Sequence, residues 1–208
     1  GGSDTGACKH NYCETDFTMD ISLKIKSMLE EYGMKVKLTH EKDQLKSDEK
    51  LNEYGEHGRA VIPYEVNAKY IFSIHLNNVN TSSVSGLEIY TAKNINYDFA
   101  KNLRDNIISS TKINPSIKIK DKIFDGIYSR NFNIDDINEA LEQYEKENKK
   151  PYDFSVNSSY YYIIRETGGI VTGAYVDGRN EDVLANPYMK SNIGTESYLL
   201  ELGYISNK

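Results

Sequence analysis

Three residues of this chain combine reactive side chains with neighbours that make their presence informative. His75 follows the apolar run Tyr70–Ile74, short enough for a buried strand, and open α/β sheets place ligands just beyond the carboxyl ends of such strands. Taken alone it is either a hydrogen-bonded rim histidine or a metal ligand. Glu201 interrupts Tyr198-Leu199-Leu200-Glu201-Leu202-Gly203-Tyr204, where an unpaired ionised carboxylate is expensive to bury. Such a residue has either a partner, with Arg59 and Arg165 the candidates, or a chemical task. Glu14 precedes a helix in Cys13-Glu14-Thr15-Asp16, and a helix N-terminus attracts carboxylates, but Asp16 suits that capping role better. The opening Gly1-Gly2-Ser3-Asp4-Thr5-Gly6-Ala7 permits close backbone approach to a ligand, and it lacks the Gly-Lys-Ser/Thr ending of a phosphate loop.

Cys8 and Cys13 flank His10 in a loop-like stretch. They form a small disulfide loop or remain two thiols, and the second cysteine pair that a two-cysteine metal site usually needs is absent.

The elements that must position these groups follow from apolar spacing. Phe17, Ile21, Ile25, Met28, Leu29 and Tyr32 recur every three or four residues, which predicts a helix over 16–32 that stops at Gly33. Met34–Thr39 alternates and reads as a strand, 41–56 as a polar connection, and 60–68 as a short helix that Pro63 confines to its neighbourhood. Gly86–Tyr90 reads as a strand, and Tyr97–Ser110 as a helix with Phe99, Ala100, Leu103, Ile107 and Ile108 inward. Short strands are expected at 160–164 and 169–176, and Tyr198–Ile205 closes the chain as a strand. Residues 114–157, rich in Asn, Lys and Asp with one helix over 134–147, look like an insertion on the scaffold. The resulting fold class is α/β: a single domain with a central mostly parallel or mixed sheet flanked by helices, plus an inserted mainly helical or irregular segment.

The whole chain of 208 residues suits one core, and its 31 acidic against 25 basic residues argue against nucleic acid as partner. Seventeen tyrosines without a tryptophan are compatible with a groove for sugar or peptide, or with plain surface composition. No apolar run approaches the ~18–20 residues of a membrane span, and no signal peptide is visible.

In order along the chain, four motifs resemble the zinc-dependent N-acetylmuramoyl-L-alanine amidases of type 3. Gly1–Ala7 is similar to the family's His-Gly-Gly-x-Asp-x-Gly-Ala without its histidine, and Glu14-Thr15-Asp16 to its Glu-x-Asp. Ser73-Ile74-His75-Leu76-Asn77 resembles its Ser-Ile-His-x-Asn, and Glu201-Leu202-Gly203-Tyr204-Ile205-Ser206-Asn207 its closing Glu-Leu-Gly-Phe-x-Ser-Asn. The resemblance implies a Zn2+ cofactor with Glu14 and His75 as ligands, Glu201 as the catalytic glutamate, and Asp4 orienting a ligand from behind.

The family's first zinc ligand is the histidine before the Gly-Gly pair, so the resemblance accounts for two ligands here. Residues 1–208 are expected to be the catalytic domain without the family's first strand and last helix, and His10 is a conceivable substitute ligand. The implied substrate is peptidoglycan, cut between muramic acid and L-alanine by an exported, extracellular or cell-wall enzyme, with a possible regulatory protein partner at 114–157. A zinc endopeptidase of the stem peptide and a silent wall-binding domain remain as alternatives.

Overall fold

The computed structural model describes residues 5–9, 11–40, 58–79, 84–146, 148, 154, 158–166 and 194–206. The expected connection over 41–56 and strand over 169–176 lie outside these residues, as do Asp4, His10 and Asn207.

A two-stranded hairpin, β1 (Cys8–Lys9) and β2 (Tyr12–Cys13), opens the described chain and leads directly into helix α1 (Glu14–Glu31). Asn11 adopts the left-handed backbone that turns the hairpin, and the strand register sets Cys8 opposite Cys13, which are joined as a disulfide. The Cys13 amide donates to Asp16 Oδ2 at 3.1 Å, so Asp16 caps α1 and leaves Glu14 to other partners. The apolar spacing of α1 forms the expected helix, yet Phe17, Ile25, Met28 and Tyr32 remain exposed.

Next come α2 (Ile62–Glu65), β3 (Tyr70–Asn77), β4 (Glu88–Tyr90) and α3 (Asp98–Ser110). They are followed by β5 (Lys122–Phe124), β6 (Ile127–Tyr128), α4 (Ile134–Lys146), α5 (Tyr162–Glu166) and β7 (Glu196–Tyr204). Five strands form a mixed sheet in the order β3-β7-β4-β6-β5, with β3 parallel to β7, β4 antiparallel to β7, and β4 parallel to β6. The period of two along β4 and β7 divides the core between two faces. Leu87, Ile89, Ile127, Tyr198 and Leu200 meet Ala100 of α3, with Phe99, Leu103, Ile107 and Ile108 packed alongside as the helical spacing predicts. On the other face Ile71, Tyr90, Tyr128 and Leu199 meet Ile163 and Ile164 of α5.

Several expectations are corrected. Met34–Thr39 is not a strand: the Met34 amide closes the end of α1 on Leu29 O, and Val36 O accepts from Lys26 Nζ, so this backbone is tied to the helix. Residues 160–164 favour a strand by composition, but they enter α5, where the Arg165 amide bonds Tyr161 O and two consecutive isoleucines are buried. β3 is the sheet edge among the described residues, so only Ile71 of it is buried. The reading of 114–157 as an insertion is not among these corrections; its residues 122–128 supply β5 and β6 beside β4, with Ile127 and Tyr128 fully buried.

Candidate active site

Parallel pairing of β3 with β7 sets His75 opposite Glu201, and antiparallel pairing of β4 with β7 sets Glu88 opposite the same Glu201. Three polar side chains thus stand in one row across three strands, on the face that α5 covers further down. Opposed residues in neighbouring strands have Cβ atoms about 4.5–5.5 Å apart.

Glu14 reaches this row from the first turn of α1. Its Oε1 lies 2.8 Å from His75 Nδ1 and accepts the Leu76 amide at 3.1 Å, and its Oε2 accepts the Ala7 amide at 3.2 Å. Burial pushes the Glu14 carboxyl up, but the hydrogen bond and charge of His75 and the two amides together pull it below its ordinary value. Ser73, two residues along β3, places its hydroxyl 2.9 Å from His75 Nε2, so both ring nitrogens are engaged and the ring plane is fixed.

Glu201 is buried, makes no ion pair with Arg59 or Arg165, and its Oε2 has no hydrogen-bond partner among the described residues. Arg165 instead donates to Ser159 O at 2.8 Å and Tyr160 O at 2.9 Å. Burial pushes the Glu201 carboxyl up to about 7; the charges of Glu14 and Glu88 add to this, while those of His75 and Lys118 oppose it. Tyr161 adjoins it: burial and the Glu201 charge raise the Tyr161 phenol, while Tyr90 and Arg130 lower it.

The structure therefore brings together all three residues singled out in the sequence. It adds Glu88, which sequence reasoning missed although the signal was present: a carboxylate inside the apolar run Gly86-Leu87-Glu88-Ile89-Tyr90 is as costly as the one at Glu201. Ser73 stood in the motif around His75 without a role. Lys118 gave no signal, since its stretch alternates isoleucine with lysine and reads as isoleucine inward, whereas Ile117 and Ile119 are 85% and 84% exposed and Lys118 turns in.

Among the described residues no group of three or more His, Cys, Asp and Glu is gathered to hold a metal. The pair that is present suits one. Glu14 Oε1 and His75 Nδ1, hydrogen-bonded at 2.8 Å, are one carboxylate oxygen and one imidazole nitrogen, donor types that zinc accepts.

Glu14, His75 and Glu201 thus meet at the carboxyl end of a parallel strand pair in a mixed α/β sheet. The chain belongs to the N-acetylmuramoyl-L-alanine amidase family, whose sequence profile matches residues 1–208. It is thus a peptidoglycan hydrolase of the amidase class, acting on the bond that the family's name specifies. Its fold is similar to that of the amidase AmiC2 of Nostoc punctiforme, with a TM-score of 0.58 and 21% identity over 100% of this chain and 77% of that one. The catalytic domain of CwlV from Bacillus (Paenibacillus) polymyxa var. colistinus gives 0.57 and 20% over 100% and 77%. Cwp6 from Clostridium difficile gives 0.58 and 20% over 100% of this chain and 24% of its own. At these identities the likeness is one of fold. Among curated proteins no match is found. No helix of the described residues is long and apolar enough to cross a membrane.

Proposed function

We propose that the chain hydrolyses the lactyl-alanine amide of peptidoglycan with a zinc ion held by Glu14 and His75 and with Glu201 moving the proton. The supporting observation is the Glu201 carboxylate, which is buried, in register with His75, and without a hydrogen-bond partner at Oε2 among the described residues. A catalytic zinc takes about three protein donors and keeps one position open. Glu14 Oε1 and His75 Nδ1 would supply two, and in the family's motif a further one is the histidine before its Gly-Gly pair.

When bound, the ion supplies a Lewis acid that polarises the amide carbonyl and acidifies the attacking water. Glu201 Oε2 accepts the proton from that water and returns it to the departing alanine nitrogen, base first and acid second. A carboxyl near 7 is suited to both directions of transfer close to neutral pH. Glu14 stays anionic, and its two backbone amides fix its oxygens. Ser73 holds the His75 ring from the side away from Glu14.

The substrate places the working enzyme outside the cytoplasm, at the cell wall. Residues 114–157 wall the groove that receives the extended glycan and stem, or dock a regulatory protein. Support for the groove comes from Arg130 of that segment, which lies 3.4 Å over the Tyr160 ring and whose charge reaches Tyr161 beside Glu201. Normal hydrolysis of intact wall after removal of α4 would exclude both roles for that helix.

The catalytic assignment is tested by Glu201→Gln in the full-length protein. Zinc content measured by atomic emission is expected to match wild type while turnover falls by about 10²–10⁴-fold. Wild-type turnover in a zinc-loaded Glu201→Gln protein would remove Glu201 from the mechanism.

A further inference from the structure

We propose that Glu88 is a positioning residue for hydrolysis: it captures the ammonium group of Lys118 and so leaves the Glu201 carboxylate free to move a proton. This rests on the role of Glu201 proposed above. Glu88 is fully buried, where an isolated carboxylate would cost several kcal/mol. Its compensation is a dense set of donors. Tyr90 donates its hydroxyl to Oε2 at 2.5 Å, Tyr204 donates to Oε1, and Asn77 Nδ2 donates to Oε2 at 3.4 Å. Lys118 Nζ stands 3.8 Å from Oε2 and donates to the Tyr90 hydroxyl at 2.6 Å, so that Tyr90 passes one hydrogen bond on while receiving another.

The position of this cluster is what connects it to catalysis. Glu88 and Glu201 are register partners on β4 and β7, so a lysine that reaches one stands within electrostatic range of the other. One ammonium thus faces two buried carboxylates. If it paired with Glu201, the ammonium would occupy the carboxylate oxygen that has to meet the water. Glu88 wins the competition because its phenol and amide donors fix its oxygens, whereas Glu201 Oε2 has no hydrogen-bond partner among the described residues.

The backbone around Lys118 is built to the same end. Lys118 turns inward while its neighbours Ile117 and Ile119 stay in solvent, an inversion of the usual pattern that forgoes apolar burial. The inward ammonium is further held 5.1 Å over the Tyr90 ring and 5.4 Å over the Tyr128 ring. Asn77 and Tyr204, which complete the Glu88 cluster, lie opposite each other where the β3–β7 register shifts after His75. Glu88 therefore also ties together the two strand ends that carry His75 and Glu201.

The test is a cycle in the full-length zinc-loaded enzyme, comparing wild type, Glu88→Gln, Lys118→Met and the double variant on purified peptidoglycan. Gln keeps the shape and much of the hydrogen bonding of Glu88 but not its charge. Glu88→Gln is expected to lower kcat at least tenfold with KM and zinc content unchanged, because Lys118 then pairs with Glu201. With Lys118→Met already present, the same change is expected to cost nothing further. An unchanged kcat in Glu88→Gln, or an equal loss in both backgrounds, would overturn the proposal. Glu201→Gln run alongside separates the two readings: activity there removes the catalytic role itself, whereas an inactive Glu201→Gln with additive Glu88 and Lys118 effects removes only this inference. Should Glu88→Gln not fold, carbon-13 spectra of wild-type protein labelled at glutamate decide it. An ionised Glu88 whose signal responds to Lys118→Met supports capture, and a protonated or unresponsive Glu88 refutes it.

Discussion

Replacing Gly6 by alanine perturbs the site through one methyl group and a left-handed backbone. Gly6 has φ +66, and a Cβ there would lie 2.5 Å from Glu14 Oε2 and 3.0 Å from Glu14 Cβ. Ordinary contact begins near 3.4 Å, so the carboxylate must withdraw by close to 1 Å or the loop must move. Glu14 is not free to withdraw, being held by the Ala7 amide at 3.2 Å, the Leu76 amide at 3.1 Å and His75 Nδ1 at 2.8 Å. Left-handed backbone costs a non-glycine residue about 1–2 kcal/mol. Losing one charged hydrogen bond adds about 1.5–3 kcal/mol. Gly6→Ala should therefore destabilise the protein by roughly 2.5–5 kcal/mol if both costs are met in the folded state. The same displacement at a ligand oxygen should reduce turnover about 10²-fold, as a misplacement of this size commonly does. Urea melts with and without zinc, and titration against a competing chelator, separate stability from metal affinity. Wild-type zinc affinity and turnover in a folded Gly6→Ala protein would refute the placement of Glu14 as a ligand oxygen held by this loop.

Two further outcomes follow from the same geometry. In the metal-free protein Glu201 rises from 4.5 to about 7 on folding, so its neutral form is favoured by the fold. That stability is complete below pH 4.5 and is lost as pH rises through about 7, so Glu201→Gln under chelation should match wild type near pH 4 and exceed it by about 3 kcal/mol near pH 8. Urea melts at the two pH values measure this, and a pH-independent difference would contradict it. Ser73→Ala should weaken zinc binding by about 10–100-fold through a less fixed His75 ring, read by chelator competition; unchanged affinity would free Ser73 of that role.

The parts of the fold that were legible are those where one periodicity dominates. The three-and-four spacing gave α1 and α3, and the apolar runs gave β3, β4 and β7 close to their ends. Two-residue and three-residue strands such as β5 and β6 carry too few residues to show a period, and they sit among asparagines and lysines. Residues 160–164 have strand composition but sit against β7 and Phe132, and tertiary packing of Ile163 and Ile164 overrides their propensity. At the site, His75 and Glu201 were visible because each breaks or ends an apolar run. Their pairing across β3 and β7 was not, since 126 positions of chain separate them and only the sheet order joins them. Glu88 was overlooked because its run is short, and Lys118 because its stretch turns the lysine rather than the isoleucines inward.

The most direct measurement is mass spectrometry of the fragments that the full-length protein releases from purified peptidoglycan, with and without a chelator. Free stem peptides beginning with alanine, lost on chelation and restored by zinc, are the expected result. Cleavage within the stem peptide, or release that survives complete removal of metal, would contradict a zinc amidase that works through Glu14, His75 and Glu201.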